Sequence, residues 1–349
     1  MADTLLQELS NADLDWIITS GQRQELRQGQ ELLNLKQQQE LIYILIDGRF
    51  SLDLSLSLAG GQPLAIDELA QGEVLGIGAL LDMTETGVVN ALETALVMAL
   101  PVAQVKQKLI NDIDFAAHFY RAIAVMLSTR LRRIFEHPER IQFWGERSAK
   151  EALSVFGELR DSDVDWLVSF GETETIPSGQ VLLQAGRPVE ALYILLDGQM
   201  AISAPQQGTF NPLYLCFSGL EESTRDQKAF ATLSQGGMPG IISFLDFRPL
   251  PVTIRTVQES LVFAVPRQTL ATKLQVDNSF ASRFYRVVAI EVLTLLQHVS
   301  SRLLQPEAPG PGFEDVLEEE LDLADLQQMS EGAKKFNWML AQLGVSHDG

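Results

Sequence analysis

The 349-residue chain has one cysteine, Cys216, four histidines, and 26 Lys plus Arg against 46 Asp plus Glu. A single thiol excludes an internal disulfide and a thiolate metal cage, and it fits a reduced, cytoplasmic setting. His118, His137, His298 and His347 are scattered with no pair at ligand spacing, so no metal or other cofactor is expected. No apolar run reaches the roughly 18 residues of a membrane-spanning helix, so direct membrane insertion is not expected. The N-terminus, MADTLLQELSNADLDW, lacks a basic region followed by an apolar core and does not read as a signal peptide. The net charge of −20 repels nucleic-acid phosphate and anionic lipid alike. Catalytic signatures are missing too: there is no G-x-S-x-G elbow, P-loop or HExxH. The chain reads as non-enzymatic, with an enzyme of unrecognised kind as the alternative of another class.

What the chain does contain, it contains twice. LSNADLDWIITSG (Leu9 to Gly21) is matched by LRDSDVDWLVSFG (Leu159 to Gly171), and YILIDG (Tyr43 to Gly48) by YILLDG (Tyr193 to Gly198). LAQGEVLGIGALLD (Leu69 to Asp82) is matched by LSQGGMPGIISFLD (Leu233 to Asp246), and FAAHFYRAIA (Phe115 to Ala124) by FASRFYRVVA (Phe280 to Ala289). A period this long is a duplicated globular domain, since solenoid units run about 20 to 50 residues. Differences between the copies therefore carry information. The spacing places one domain at 1–137 and a second at 151–304, joined by EHPERIQFWGERSAK (Glu136 to Lys150).

Each copy opens on a short helix with apolar positions Leu9, Leu14, Trp16 and Ile17, or Leu159, Val164, Trp166 and Leu167; Asn11 or Asp161 marks its start. Strands follow. Phe50, Leu52, Leu54, Leu56 and Leu58 alternate with Ser51, Asp53, Ser55 and Ser57, the period-2 signature of a half-buried strand. Gly60-Gly61 turns the chain back. The second copy lengthens this hairpin through SAPQQGTFNP (Ser203 to Pro212) and SGLEESTRDQ (Ser218 to Gln227), an insertion that closure entropy tolerates at a surface.

A long helix ends each copy. Its stripe is Phe115, Phe119, Ile123, Met126, Leu127, Leu131 and Ile134 in the first, and Phe280, Phe284, Val288, Val292, Leu295, Val299 and Leu303 in the second. Two such helices suit an internal pseudo-dimer, and a homo-oligomer of single-copy relatives would pair the same surfaces. The alternative is that each stripe covers its own domain.

The order of short helix, YILxDG strands, glycine-containing GEVLGIGALLD block and long helix resembles the cyclic nucleotide-binding domain, over about Leu9 to Ile134 and Leu159 to Leu303. The resemblance implies a mainly β fold with flanking helices: two tandem eight-stranded jelly rolls, each ending in a long helix. It also implies a phosphate cassette of the pattern G-D-x-F-G-E-L-A-L-L, three residues, then P-R-x-A-[ST]. There, backbone N–H groups after the second glycine and the arginine hold the cyclic phosphate, while the glutamate holds the ribose hydroxyl.

Both copies depart from that pattern at the same places. The first keeps Gly72 and Gly76 but has Ile77 for the glutamate, and Glu85 is its best match for the arginine. The second keeps Gly236 and Gly240 but has Ile241 for the glutamate and Leu250 for the arginine; Arg248 lies two residues early. A charge-assisted hydrogen bond is worth about 1.5–3 kcal/mol, so losing the arginine alone weakens binding about 10- to 150-fold. Glu85 would add like-charge repulsion on the order of 1 kcal/mol even in water. Cyclic nucleotide binding is thus disfavoured, and a cyclic nucleotide receptor with rearranged pocket contacts is the first alternative.

After Leu304, residues 305–312 form a Pro/Gly linker to an acidic amphipathic tail, 313–349. Its carboxylates cluster early, and Phe336, Trp338, Met339, Leu340 and Leu343 come late. Two readings stay open: a helix folded back on one of the domains, and a docking peptide that binds a protein partner through those residues. The acidic tail has the wrong charge for DNA, so no winged helix-turn-helix and no nucleic-acid partner are expected. The sequence therefore points to a regulatory or adaptor protein whose partner is another protein.

Overall fold

The computed structural model describes residues 4–35, 37–54, 64–135, 152–153, 155–203, 229–303 and 323–345. Outside the described residues lie Leu56, Leu58, the Gly60-Gly61 turn, the 136–150 connection, nearly all of the second copy's lengthened hairpin with Cys216, the 305–312 linker, and the acidic run through Asp322.

The first repeat runs α1 (Thr4–Glu8), α2 (Asn11–Ser20), β1 (Gln22–Leu26), β2 (Glu31–Asn34), β3 (Leu41–Asp47), β4 (Phe50–Leu54), β5 (Leu64–Leu69), β6 (Val74–Leu75), α3 (Gly78–Leu81), β7 (Val88–Ala91), β8 (Ala95–Pro101), α4 (Val102–Asn111) and α5 (Ile113–Phe135). Two four-stranded antiparallel sheets, ordered β1-β8-β3-β6 and β2-β7-β4-β5, make an eight-stranded jelly roll. Its core gathers Leu26, Leu33, Tyr43, Leu45, Phe50, Leu69, Val89, Val97 and Ala99, with Leu52 packed at its margin. Tyr43 and Leu45 face that core, and the alternate residues Ile42 and Ile44 are buried as well. A strand covered on both faces reads as an unbroken apolar run, which is why YILI shows no alternation. The β4 alternation is likewise incomplete, because Ser51 is buried and donates to Asp53 at 2.8 Å.

The second repeat has a 3-10 turn (Val155–Glu158), α6 (Asp161–Phe170), β9 (Glu172–Ile176), β10 (Val181–Leu183), β11 (Ala191–Asp197), β12 (Met200–Ser203), β13 (Ala229–Leu233), α7 (Ile241–Asp246), β14 (Thr253–Thr256), β15 (Ser260–Pro266), α8 (Arg267–Val276) and α9 (Asn278–Leu303). Its described strands form sheets β10-β14-β12-β13 and β11-β15-β9. Where β6 pairs with β3 in the first repeat, the second keeps a two-bond bridge, Leu195 N–H to Gly237 O and Gly236 N–H to Leu195 O. Pro239 stands at the place of Leu75 and has no N–H to extend the ladder.

Capping refines the helix starts. Ser10, one residue before Asn11, caps α2: its Oγ accepts from Asp13 N–H at 3.2 Å, and the Asp13 carboxylate accepts from Ser10 N–H at 2.8 Å. In α6 the Asp163 carboxylate accepts from Arg160 N–H at 2.8 Å.

Compact units do not coincide with the repeats. One unit comprises 1–130 with 281–304, the other 131–280 with 305–349. The last residues of α5 thus belong to the second unit, and most of α9 to the first. The boundaries at 137 and 151–304 follow the duplication rather than this grouping. The tail's helix, α10 (Leu323–Gln342), packs within the second unit against the 3-10 turn and α6.

Candidate functional site

In the first unit, β6 feeds the cassette. Gly72 and Gly76 take left-handed φ values of 86° and 76°, conformations that suit glycine. Ile77 then precedes α3 with no exposed surface at all. At this place the resemblance calls for a carboxylate that faces a ligand; the side chain present belongs to the core.

Glu85 returns to the start of α3, and its Oε2 accepts from the Gly78 N–H at 2.8 Å. Burial pushes the Glu85 carboxyl above its usual range, against the opposing pull of the Gly78 N–H and the Arg130 guanidinium. The carboxyl lies deep among protein atoms, although the residue keeps some accessible surface.

Arg130, on α5, is buried. Its Nε donates to Glu73 Oε2 at 2.8 Å and its Nη2 to Val74 O at 2.9 Å. The loop that delivers Glu85 is held by α4 and α9. Asp82 meets Lys106 at 2.5 Å and Arg286 at 3.5 Å, and Gln297 donates to Thr84 O.

The second unit's cassette is built differently. Gly236 and Gly240 again take left-handed φ, 84° and 79°. A Cβ on Gly240 would lie 2.6 Å from Leu183 Cδ1, so close packing as well as conformation requires glycine there. Ile241 is 3% exposed and Leu250 1%, so both places to which the resemblance assigns ligand-binding groups are apolar and interior. Arg248 is about half exposed, 3.9 Å from the carboxylate of Asp246, and turned away from that interior.

The charged feature here is Arg132, from the end of α5. It donates to both oxygens of Asp246 at 3.0 and 3.1 Å, to Ser243 Oγ at 3.0 Å and to Pro249 O at 2.6 Å. Beside it, Arg267 donates to Ser243 O at 2.8 Å and lies 4.5 Å from the Phe247 ring. Its Nε is buried with no hydrogen-bond partner among the described residues.

Of the predicted cassette residues, Ile77, Ile241 and Leu250 are buried in the core, Glu85 accepts from the Gly78 amide, and Arg248 stands half exposed beside Asp246. Arg130, Arg132, Gln297 and Gly78 had not been singled out from the sequence. The apolar stripe of α5 gives no signal for the arginines, because a stripe argument assigns charged residues to water.

The tail residues divide. Phe336, Met339 and Leu340 are buried within the second unit, the Phe336 ring 5.2 Å from that of Phe156, while Trp338 and Leu343 are half-buried. Lys335 fixes the helix by donating to Gly157 O at 3.2 Å and to Leu159 O. With α10 seated this way, its three buried anchors are unavailable to a partner, because the apolar face already covers Phe156. Among the described residues no group of three or more His, Cys, Asp or Glu could hold a metal, and no helix is long and apolar enough to cross a membrane.

Residues 173–277 match the family model of the cyclic nucleotide-binding domain. The second repeat carries that domain. No curated protein matches the chain. Among solved structures, the chain is similar to the cAMP-bound PfPKA-R fragment 141–441, at 13% identity and TM-score 0.31, covering 99% of this chain and 88% of that one. It is also similar to the regulatory domain of Toxoplasma gondii PKA with cAMP (13% identity, TM-score 0.28, 77% and 87% covered). A third is the guanosine-bound regulatory subunit of a cAMP-independent protein kinase A from Trypanosoma cruzi (13%, 0.29, 79% and 81%). The tandem jelly-roll architecture stands on the strand order described above.

Proposed function

We propose that this chain is a non-catalytic regulatory or adaptor protein in which neither cyclic nucleotide-binding cassette takes a cyclic nucleotide, and that it acts by binding another protein. The observation that carries the proposal is the pair Ile77 and Ile241, 0% and 3% exposed, at the place where the family's glutamate meets the ribose. A buried isoleucine offers that hydroxyl no acceptor, and burying an unpaired hydroxyl costs about 1–3 kcal/mol. Leu250, equally interior, offers a phosphate no charge. In this reading the domains are retained as rigid bodies. Partner contact falls to their surfaces and to the outward side of α10, with Trp338 and Leu343.

Titration calorimetry of the full chain with cAMP and with cGMP tests the first half; no heat of binding is expected, and tight binding would replace this reading with that of a receptor. The second half is tested by capture from the native host with the full chain and with a chain lacking 323–349. Equal recovery of every captured protein would remove α10 from the interface.

A further inference from the structure

Gly78 poses a question that its backbone does not answer. Its φ lies outside the left-handed region, so conformation alone would admit any residue. Space would not. A Cβ on Gly78 would lie 2.5 Å from Met83 O, 2.9 Å from Glu85 Cγ and 3.1 Å from Glu85 Oε2. At the matching place the second repeat carries Ile242, buried and branched, and there no carboxylate crosses the turn. Gly78 is therefore kept bare from two sides, by the Met83 carbonyl and by the Glu85 side chain that lies over it. The loop between Gly78 and Glu85 is clamped through Asp82, by Lys106 and Arg286, and through Thr84 O, by Gln297. The carboxylate is thus presented to the Gly78 amide by a fixed frame.

We propose that Glu85 is a built-in ligand of the first cassette: its tethered carboxylate occupies the backbone amide that the family resemblance assigns to a cyclic phosphate, and so closes that cassette to phosphate esters. The proposal rests on the reading that neither cassette takes a cyclic nucleotide, and it supplies the first cassette's means of refusal. Two effects combine. The amide already has an acceptor, and an entering phosphate would meet a carboxylate of its own sign. Arg130 does not offset this freely, because its guanidinium already binds Glu73 and Val74 O.

The test follows individual backbone amides by NMR in the full-length chain, with cAMP as the probe, for wild type, Glu85→Ala and Glu85→Gln. Glu85→Ala should raise the hydrogen-exchange rate of the Gly78 amide roughly five- to tenfold, the value of one net hydrogen bond, and should make that amide shift on addition of millimolar cAMP. Glu85→Gln keeps an acceptor oxygen in place, so its Gly78 amide should stay protected and silent to cAMP. A Gly78 amide in Glu85→Ala that is as protected as in wild type, or that ignores cAMP, overturns the proposal. Failure of the underlying reading would appear elsewhere, as cAMP-induced shifts of the Gly240 and Ile241 amides in wild type.

Discussion

In the first unit the cassette turn is held from within, by Glu85 on the Gly78 amide; in the second it is held from the flank, by Arg132 on Ser243, Asp246 and the Pro249 carbonyl. The two arrangements share one contact. Gln297 donates to Thr84 O as Arg132 donates to Pro249 O, and both pairs are related by the same offset, 297 to 132 and 249 to 84. What differs is charge. Asp246 is 4% exposed and paired with Arg132, whereas its counterpart Asp82 is 65% exposed and paired with Lys106 and Arg286. A cassette that bound a phosphate ester would draw order from its ligand. In each of these a side chain of the chain itself holds the turn, and the two are of opposite sign: a carboxylate in the first, a guanidinium in the second.

The largest consequence falls on the second unit. Arg132→Ala leaves the Asp246 carboxylate buried without its principal cation, and breaking such a pair costs about 3–5 kcal/mol. Gln297→Ala in the first unit removes a single neutral donor at an exposed position, at most about 1 kcal/mol. Site-resolved hydrogen exchange under native conditions should show α7 and β14 losing protection in the former, while α3 and β7 are nearly unchanged in the latter. Equal losses in both would remove the asymmetry.

Next in size is the tail. Phe336→Ala empties a fully buried site against Phe156, at about 3 kcal/mol, near the low end for such truncations because a terminal helix can resettle. Limited proteolysis should then cut α10 selectively while both jelly rolls resist. If α10 stays protected, its seat does not depend on this ring.

These contrasts mark where sequence reasoning reached and where it stopped. The duplicated jelly roll was legible because YILxDG, GEVLGIGALLD and the helix stripes repeat at fixed offsets, and period-based burial held for Phe115, Phe119, Ile123, Phe280, Phe284 and Val288. The cassette changes were legible because they are substitutions at positions of defined chemistry. Arg130 and Arg132 were not, because a stripe argument assigns charged residues to water, and α5 buries both at 7% exposure. The pairing of Glu85 with Gly78 was hidden for a different reason: close approach across a turn leaves only a bare glycine in the sequence, and the same residue serves many ordinary turns. For the tail, composition named the anchors but could not choose between a cis and a trans surface.

The pair Gly78 and Glu85 can be strained directly. Gly78→Ala forces a methyl group against Met83 O and the Glu85 side chain, an overpacking of about 1–3 kcal/mol. Removing the acid should relieve part of it, so Gly78→Ala with Glu85→Ala is expected to cost less than the two single changes together. Urea unfolding of the four chains measures the coupling. Strict additivity would mean that the backbone of Met83, not Glu85, sets the need for glycine.

The smallest effect is also the most diagnostic, because its sign is fixed by the environment of Glu85. The charge that acts on the carboxylate is Arg130 of α5, itself paired with Glu73; Asp82, on the same loop, pairs with Lys106 of α4 and Arg286 of α9. Burial outweighs the Gly78 N–H and Arg130, so the folded carboxyl binds its proton more tightly than the unfolded one. A group raised in this way contributes stability that is fully present below the ordinary glutamate range and is lost as pH rises through the folded value. Glu85→Gln removes that dependence. The variant should therefore be more stable than wild type at neutral pH, with the gap closing as pH falls toward the ordinary glutamate range. Asp13 supplies the opposite case in the same unit. Its burial would raise it, but hydrogen bonds from His118 and from Ser10 to the carboxylate outweigh burial and hold it low. Asp13→Asn should accordingly forfeit stability at neutral pH, and that loss should shrink as pH drops through the depressed value. Urea midpoints for wild type, Glu85→Gln and Asp13→Asn across this range decide the matter. Parallel slopes for the two variants would mean that the charge of Glu85 is not held against its own preference, and that the first cassette is closed by packing alone.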